Sequence, residues 1–416
     1  MRAIRLGVWS VSLVVGALVI RPAAQASDPT TTAHWVGTWT TSPVAQATTG
    51  TFSTGFSNQT LRQISRVSLG GSELRLRLSN TFGAQAVVVG SVQVGLRDKG
   101  AAIKAGSNRA VTFGASTSVT LWPGAVIVSD PVKLDVPALA ELATSIYLPD
   151  DAPAGLPITF HSTAKQTNYI SPKGDHTAAV DMPVETTKQS WYFLTGIDVA
   201  APREVGAVVA LGDSLTDGNL STADANSRWT DALAGNLHGA GIRMGVMNQG
   251  TGGGRVLHDA VGDSGLRRFD RDVLAQPGVT HVVVLLGIND LRKRLSAGSP
   301  ESEPVSADDM IAGYKQLILR AHSRGVKIIV GTLLPWENET FAADAYTPEG
   351  AAKRQAINAW IRSSGGFDGV MDFDRLLQDP AHPNRLLLKW DSGDHLHPGD
   401  AGYRHMGEAF DLSQLK

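Results

Sequence analysis

Four short polar segments lie in the second half of the chain, and three of them directly follow an apolar run. They are Gly212-Asp213-Ser214-Leu215, Asn248-Gln249-Gly250, Gly287-Ile288-Asn289-Asp290 and Asp394-His395-Leu396-His397-Pro398. A serine hydroxyl is a weak nucleophile until a neighbouring base takes its proton. The four segments together supply a serine, a histidine, a carboxylate, a glycine N–H and an amide, which is the set needed for attack on an acyl carbon.

Each of these groups has a role that its chemistry permits. Ser214 attacks the acyl carbon, His397 takes its proton and returns it to the leaving alkoxide, and Asp394 holds the imidazole in the required tautomer. The N–H groups of Ser214 and Gly250 and the side-chain amide of Asn289 donate to the oxyanion. Gly250 suits this role because it has no Cβ to obstruct the substrate. Activity should therefore fall at acid pH, where an imidazole is protonated.

The pattern after Pro202 explains how these segments meet. Continuous apolar strands alternate with amphipathic helices, which predicts a parallel sheet covered on both faces. Ligands of such sheets bind beyond the carboxyl ends of the strands, so the first three segments should converge on one rim. The predicted strands are Val205–Leu211, Met244–Met247, Val282–Leu286, Ile328–Gly331 and Val370–Phe373, and the predicted helices are Trp229–Leu237, Leu266–Leu274, Ala307–His322 and Ala351–Ile361.

The first half of the chain has a different pattern, with many short strands and little helical periodicity. This pattern predicts an all-β sandwich of jelly-roll type. Gly70-Gly71-Ser72 is read as the turn of a hairpin that joins strands at Leu61–Leu69 and Leu74–Leu78. Further predicted strands are Val87–Leu96, Ala110–Phe113, Val119–Leu121, Ala125–Val128, Thr144–Leu148 and Trp191–Val199.

The N-terminus has the pattern of a secretory signal. Arg2 and Arg5 precede an apolar run, and Ala24-Gln25-Ala26 fits the cleavage pattern, so Ser27 should begin the mature protein. The alternative, a membrane anchor, is disfavoured because the run is short for a span. We therefore expect a secreted protein, extracellular or periplasmic, with no stable membrane anchor after cleavage. The predicted division is 1–26 signal peptide, 34–200 sandwich and 203–416 catalytic domain.

Composition excludes several function classes. The 416 residues carry a formal net charge of −2 without a basic block, so nucleic acid is not an expected partner. The chain has no cysteine, which excludes disulfides and thiolate metal sites. Asp394, His395 and His397 could also form a metal site, but no second cluster completes a ligand set, so the catalytic interpretation is favoured. No cofactor and no metal is predicted, and the oligomeric state stays open.

The four segments, in this order, resemble the motifs of the SGNH (GDSL-type) esterases and acylhydrolases over residues 205–410. The resemblance implies a flavodoxin-like three-layer α/β/α fold, with Ser214 as nucleophile, Gly250 and Asn289 as oxyanion donors and Asp394 and His397 as acid and base. The stretch Gly253-Gly254-Arg255 departs from the pattern of many relatives. The first half, which opens with Trp35-Val36-Gly37-Thr38-Trp39, is similar to the sandwich that precedes this domain in some secreted bacterial members linked with plant-polysaccharide deacetylation.

Several residues near the motifs have simpler readings. Ser264, within Gly262-Asp263-Ser264-Gly265, precedes a charged helix and is read as its N-cap. His395 competes with His397 for the base, and the position before the proline favours His397. Asp213 should orient the serine turn, and Asp290 should cap its own loop. His382 and His405 are read as surface or helix histidines.

The sequence leaves the substrate open. Trp336, Phe341 and Tyr346 follow the fourth predicted strand and could stack on a sugar, line an acyl pocket or simply anchor a loop. The segment after Asn289 has no apolar face of the kind a lipase lid needs, since it carries Arg292, Lys293, Arg294, Glu301 and Glu303.

The expected function is hydrolysis of short acyl esters, acetyl above all, on a small molecule or polysaccharide. One alternative is a lipase or arylesterase acting on longer or aromatic acyl esters. The other is a non-catalytic carbohydrate-binding module.

Overall fold

The described part of the chain changes near residue 201 from antiparallel sheets to a parallel sheet with helices. A computed structural model describes residues 34–152, 154–292, 304–341 and 345–416. The predicted signal peptide, residues 1–26, lies outside this part, as do Lys293, Arg294, Glu301 and Glu303. Within the described ranges, no helix is long and apolar enough to cross a membrane.

Residues 34–201 form antiparallel sheets. The strands are β1 (His34–Thr40), β2 (Val44–Ala45), β3 (Gln59–Arg66), β4 (Gly71–Ser79), β5 (Val87–Val89), β6 (Ser91–Leu96), β7 (Arg109–Val111), β8 (Val119–Leu121), β9 (Val126–Val128), β10 (Val132–Val136), β11 (Glu141–Leu148), β12 (Thr159–His161), β13 (Asn168–Lys173), β14 (Thr186–Lys188), β15 (Trp191–Tyr192) and β16 (Leu194–Ala201). One sheet contains β1, β16, β4, β10 and β9, and a second, six-stranded sheet has the order β14-β13-β3-β11-β6-β7.

The alternation of leucine and arginine in β4 reflects the two faces of the strand. Leu74, Leu76 and Leu78 are fully buried in the core. Each contributes roughly 2 kcal/mol from the apolar surface it removes from water. The arginines between them pair with buried Asp198 of β16, at 2.9 Å from Arg75 and 3.3 Å from Arg77. The prediction of an all-β first half is confirmed.

The predicted hairpin at Gly70-Gly71-Ser72 is wrong, because β3 and β4 lie in different sheets. The segment between them binds β1 instead, since the N–H groups of Ser68 and Leu69 donate to the carbonyl and hydroxyl oxygens of Thr38, at 3.0 and 2.7 Å. A Cβ on Gly70 would lie 2.4 Å from the carbonyl oxygen of Val136. The glycine that suggested a tight turn therefore permits a close backbone crossing.

Residues 207–371 form a five-stranded parallel sheet of order β18-β17-β19-β20-β21, the flavodoxin-like order predicted. Helix α2 packs on α8, and α5 packs on α3 and α6. The strands are β17 (Ala207–Gly212), β18 (Gly245–Gly250), β19 (Val279–Leu285), β20 (Lys327–Gly331) and β21 (Gly369–Met371), followed by a β22 (Gln378–Asp379) and β23 (His382–Leu386) ribbon. The helices are α1 (Ser214–Asp217), α2 (Trp229–Gly239), α3 (Gly265–Phe269) with a π-helical turn (Asp270–Leu274), α4 (Ile288–Leu291), α5 (Ala307–His322), α6 (Pro348–Ser363), α7 (Phe373–Leu377), α8 (Asp400–Glu408) and a 3₁₀ turn (Leu412–Leu415).

The sandwich covers the edge strand β18 of the parallel sheet. The hydroxyl of Thr40 donates to the carbonyl of Asn248 at 3.0 Å, and the N–H of Val246 donates to the hydroxyl of Ser68 at 2.8 Å. An uncovered edge strand leaves its backbone groups unpaired, and the sandwich supplies partners for those of β18. Residues 34–416 form a single compact unit, and one main core runs through both sheet types.

Candidate active site

Ser214 lies on a sharp turn at the end of β17. The strand ends at Gly212, and Asp213 caps α1 by accepting a hydrogen bond from the N–H of Leu215 at 3.0 Å. A Cβ on Gly212 would lie 2.1 Å from the hydroxyl of Thr216, so only glycine fits beneath this turn. Asp213 therefore orients the serine turn, as predicted.

His397 bridges the serine and an acid. Its Nε2 lies 2.8 Å from Ser214 Oγ, and its Nδ1 lies 2.6 Å from Asp394 Oδ2. Asp394 also accepts the backbone N–H groups of Leu396 and His397, at 3.0 and 2.8 Å. Burial alone would raise the pKa of Asp394, but hydrogen bonds from His397 and these N–H groups outweigh it and hold the pKa well below its usual range. The acid is thus ionised beside the imidazole.

His395 points to a different carboxylate. Its Nδ1 pairs with Asp391 at 2.5 Å, and its backbone adopts a left-handed conformation with φ of 60°. This kink turns the side chains of His395 and His397 to different partners although only one residue separates them. The structure therefore brings His397, and not His395, to Ser214.

The three predicted oxyanion donors lie at strand ends but differ in availability. The sheet register places Gly212 opposite Gly250. The N–H of Gly250 already donates to Asn248 Oδ1 at 2.8 Å, and Asn289 uses one Nδ2 hydrogen for the carbonyl of Gly254 at 3.0 Å. The second amide hydrogen of Asn289 and the N–H of Ser214 have no acceptor among the described residues.

Gly250 is required for a reason that the sequence did not reveal. A Cβ there would lie 2.2 Å from the backbone nitrogen of Asp217 and 2.8 Å from the carbonyl carbon of Thr216. The close neighbour is thus the backbone of α1. Asn248 fastens the same helix, because its Nδ2 donates to the carbonyl of Thr216 at 2.6 Å.

A buried arginine supports the floor of the site. Arg268 donates to the carbonyls of Gly212 and Gln249, both at 2.7 Å, so it joins the ends of β17 and β18. It pairs with Asp272 at 3.0 Å, and that carboxylate accepts the hydroxyl of Ser42 at 2.7 Å. Removing one partner of such a buried pair typically costs about 3–5 kcal/mol. The sandwich, through Ser42, thus contacts the machinery beneath the serine.

A second link from the sandwich reaches α1 itself. His161 of β12 lies 3.0 Å from Asp217, the last residue of α1, and its other ring nitrogen lies 2.8 Å from the carbonyl of Ser42. Both side chains are almost fully enclosed. Helix α1 is therefore held from the sandwich as well as from the parallel sheet.

A buried carboxylate, Asp213, and a half-buried one, Asp290, flank the rim. Asp290 accepts the N–H groups of Val256 and Leu257, at 2.8 and 3.1 Å, and burial raises its pKa to about 6. It therefore fastens the loop after β18, so the prediction that it caps its own loop is wrong. Burial likewise raises the pKa of Asp213 to about 7, and its Oδ2 has no hydrogen-bond partner among the described residues.

Replacing Asp213 with asparagine is expected to stabilise the protein at pH 8 but not at pH 4. The raised pKa means that the folded state keeps a proton that the unfolded chain releases between about pH 4 and 7, so the wild type loses stability as pH rises through that window. Asparagine keeps the oxygen that accepts from Leu215 and carries no charge. Thermal unfolding should show a gain of a few degrees at pH 8 that vanishes at pH 4.

The matched control is Asp270→Asn, since Asp270 has an exposed side chain. Its effect on the unfolding temperature should be small and should not grow from pH 4 to pH 8. An equal shift for Asp213→Asn at both pH values would contradict the buried-acid interpretation.

Residues 210–405 match the model of the GDSL-like lipase/acylhydrolase family. This part of the chain belongs to that family. The match spans all four motifs, and it identifies the chain as an ester hydrolase. A search of curated proteins finds no match.

Solved structures similar to the GDSL domain each cover about half of this chain. A lipolytic protein of the G-D-S-L family from Desulfitobacterium hafniense DCB-2 is 24% identical, with 49% of this chain and 95% of that one covered and a TM-score of 0.36. A carbohydrate acetylesterase from Sinorhizobium meliloti is 15% identical, with the same coverage and a TM-score of 0.39. The M. smegmatis aryl esterase is 16% identical, again with 49% and 95% covered and a TM-score of 0.39.

The three aromatic residues near the GDSL site have different surroundings. Trp336 is buried and packs edge-on to Tyr346, with ring centres 6.0 Å apart. Phe341 is 64% exposed, and its ring centre lies 5.9 Å from that of His397. Trp336 is therefore a loop anchor, whereas Phe341 is an exposed ring beside His397.

Other predicted secondary roles can also be placed. The hydroxyl of Ser264 accepts from the N–H of Arg267 at 3.3 Å, which confirms it as the N-cap of α3. His382 is exposed on β23, and His405 of α8 stacks on Trp390. Across the described ranges, no group of three or more histidine or acidic side chains could hold a metal ion.

Sequence reasoning missed the residues that support the GDSL site from elsewhere. They are Ser42, His161 and Arg268. None lies in a motif, and Ser42 and His161 precede Ser214 by 172 and 53 residues. A weak signal existed only for Arg268, because a helix arginine four residues before Asp272 can form an ion pair on one helix face.

Proposed function

We propose that the protein hydrolyses short acyl esters, acetyl esters of a carbohydrate in particular, through an acyl-enzyme on Ser214. The observation that carries the proposal is the hydrogen-bonded chain from Ser214 through His397 to Asp394. A serine, an imidazole and an ionised carboxylate in this order are the components of nucleophilic ester hydrolysis.

The proposed reaction has two halves. Ser214 Oγ attacks the acyl carbon while its proton moves to His397 Nε2, and the tetrahedral oxyanion accepts from Ser214 N–H and Asn289 Nδ2. Collapse breaks the ester bond, and the proton on His397 goes to the leaving alkoxide. Water then attacks the acyl-enzyme with His397 as base, which releases the carboxylic acid and restores the serine. Asp394 stays ionised and stabilises the imidazolium in both halves.

The preference for a short acyl group and a sugar rests on the rim. Phe341 presents an exposed ring beside His397, where an aromatic face suits a flat sugar surface. Trp336 is buried and so adds no apolar wall for a long chain. The predicted signal sequence, residues 1–26, would make this a secreted enzyme whose mature chain begins at Ser27.

A panel of esters is expected to show highest kcat/KM for p-nitrophenyl acetate, with a fall of about tenfold or more by the octanoate. Acetate should also be released from acetylated xylan or pectin. Each added methylene that finds no apolar contact gains no binding energy and still loses conformational freedom when the acyl chain is held in place, so kcat/KM should fall for long chains.

The same panel tests the second candidate, an esterase for longer or aromatic acyl groups. A rate maximum at octanoate or palmitate, or on an aromatic acyl ester, would overturn the short-acyl proposal. The blank for every substrate is the Ser214→Ala protein at equal concentration.

A further inference from the structure

A buried arginine, Arg292, lies beside the amide proposed to bind the oxyanion. Its Nη1 donates to Asn289 Oδ1 at 3.1 Å, and its Nη2 donates to Glu339 Oε1 at 2.6 Å. The side chains of Arg292 and Glu339 are only 9% and 1% exposed. The pair is therefore enclosed, and its contacts are little weakened by solvent.

The contacts around Asn289 fix which end of its amide faces which neighbour. Oδ1 accepts from Arg292, and Nδ2 donates to the carbonyl of Gly254 at 3.0 Å. A flipped amide would set Nδ2 against the arginine, donor against donor, and Oδ1 against a carbonyl, acceptor against acceptor. Both contacts would be repulsive, so the present orientation is strongly favoured. It leaves one Nδ2 hydrogen for another acceptor.

Arg292 also places a positive charge on the carbonyl side of this amide. A cation that binds an amide oxygen draws electron density from the nitrogen and strengthens the N–H as a donor. Glu339 balances the charge of Arg292, which keeps the arginine in the enclosed site. The paired arginine therefore does not compete with Asn289 for the developing oxyanion. Since oxyanion donors act by being oriented before the reaction, a fixed and polarised amide is what the transition state requires.

The loop that carries Glu339 contacts the other half of the site. The N–H of the next residue, Thr340, donates to the carbonyl of Asp394 at 3.0 Å, and Phe341 follows it. The Arg292 guanidinium lies 6.0 Å from the centre of the Phe341 ring. One short loop thus supports both the oxyanion amide and the acid that pairs with His397.

We propose that Arg292 is a positioning residue for Asn289: it sets the orientation of the amide and strengthens its N–H toward the oxyanion, with Glu339 as its counter-charge. This rests on the proposed function, because it takes Asn289 as an oxyanion donor. It makes the acyl-transfer rate depend on a residue that has no direct contact with Ser214, His397 or Asp394.

The test is a double-mutant cycle with kcat and KM for p-nitrophenyl acetate and the unfolding temperature of each variant. Asn289→Ala should lower kcat about 10²-fold. Arg292→Gln should lower kcat about tenfold while KM changes less than about twofold. In the double variant the second substitution should cost nothing further, because Arg292 acts through the amide that is already gone.

Three controls keep the outcome decisive. Arg320→Gln removes a partly exposed arginine of α5 that donates to the carbonyl of Leu266 and pairs with Asp270, and it should leave kcat unchanged in both backgrounds. If Arg292→Gln does not fold, Glu339→Gln carries the same cycle, with a smaller kcat loss that also vanishes beside Asn289→Ala. Arg292→Lys should rescue only part of the rate, since one ammonium cannot hold both partners in the arginine geometry.

The results separate failure of this proposal from failure of the proposed function. If Asn289→Ala is damaging but Arg292→Gln costs the same factor with and without it, the two act independently and the positioning role is wrong. An Arg292→Gln enzyme with wild-type kcat overturns it as well. If Asn289→Ala itself leaves kcat unchanged, the oxyanion role in the proposed function fails, and the positioning role fails with it.

Discussion

Replacing Ser214 with alanine is expected to lower kcat for p-nitrophenyl acetate by at least about 10⁴-fold. The substitution removes the oxygen that lies 2.8 Å from His397 Nε2 and leaves no other hydroxyl at that position. The fold should persist, because Ser214 is the first residue of α1, and the cap of that helix comes from the Asp213 side chain. Steady-state hydrolysis and thermal unfolding, measured on the same preparation, check both statements.

The matched control is Ser264→Ala, the second Asp-Ser pair of the chain. Ser264 caps α3, so its loss should cost about 1 kcal/mol of stability and leave kcat unchanged. A fluorophosphonate probe, which reacts with an activated serine, should label the wild type and the Ser264→Ala protein but not Ser214→Ala. Retained labelling or hydrolysis without Ser214 would refute the proposed nucleophile.

Replacing His397 with glutamine is expected to lower kcat by about 10³- to 10⁴-fold, whereas His395→Gln should lower it less than about tenfold. His397 alone of the two contacts both Ser214 and Asp394. Glutamine can fill the space and donate one hydrogen bond, but it cannot take the serine proton. The measurement is kcat for both variants at neutral pH and above.

The pairing of His395 with Asp391 decides how this comparison is read. The side chain of Asp391 is 2% exposed, so His395→Gln removes the ring that pairs with a buried carboxylate. Its main effect should therefore be a lower unfolding temperature, with only a small loss of kcat. A greater loss of kcat for His395→Gln than for His397→Gln would reverse the assignment of the base. Equal losses would indicate that the turn, rather than one imidazole, had been disrupted.

Much of the second half could be predicted from local pattern. A parallel strand buried on both faces is a continuous apolar run, and a helix follows each such run here. Because parallel strands end on one side of a sheet, Ser214, Gly250 and Asn289 could be assigned to one rim from the sequence alone. The predicted limits of α5 match the structure, because Ser306 and Asp309 form a capping box and the apolar face has a clear helical period.

Contacts between distant segments could not be predicted in this way. The pattern around Gly70 is compatible with a hairpin or with a crossing between sheets, and only the bonds of Ser68 and Leu69 to Thr38 select the crossing. Likewise, Trp336 and Phe341 are both aromatic residues after one strand, but one is buried and the other exposed. Local sequence does not specify what packs against a side chain.

The sequence by itself therefore determined the nucleophile candidate, the order of the motifs, the sheet that carries them and the family they resemble. Tertiary structure alone decided which histidine reaches Ser214, why Gly250 must be glycine, and how Ser42, His161 and Arg292 support the site. The physical reason is that periodicity and motif spacing report the backbone's local preferences, whereas buried hydrogen bonds and ion pairs join residues far apart in the chain, such as Ser42 and Asp272, which are 230 positions apart. Their partners exist only once the sandwich and the parallel sheet have packed together.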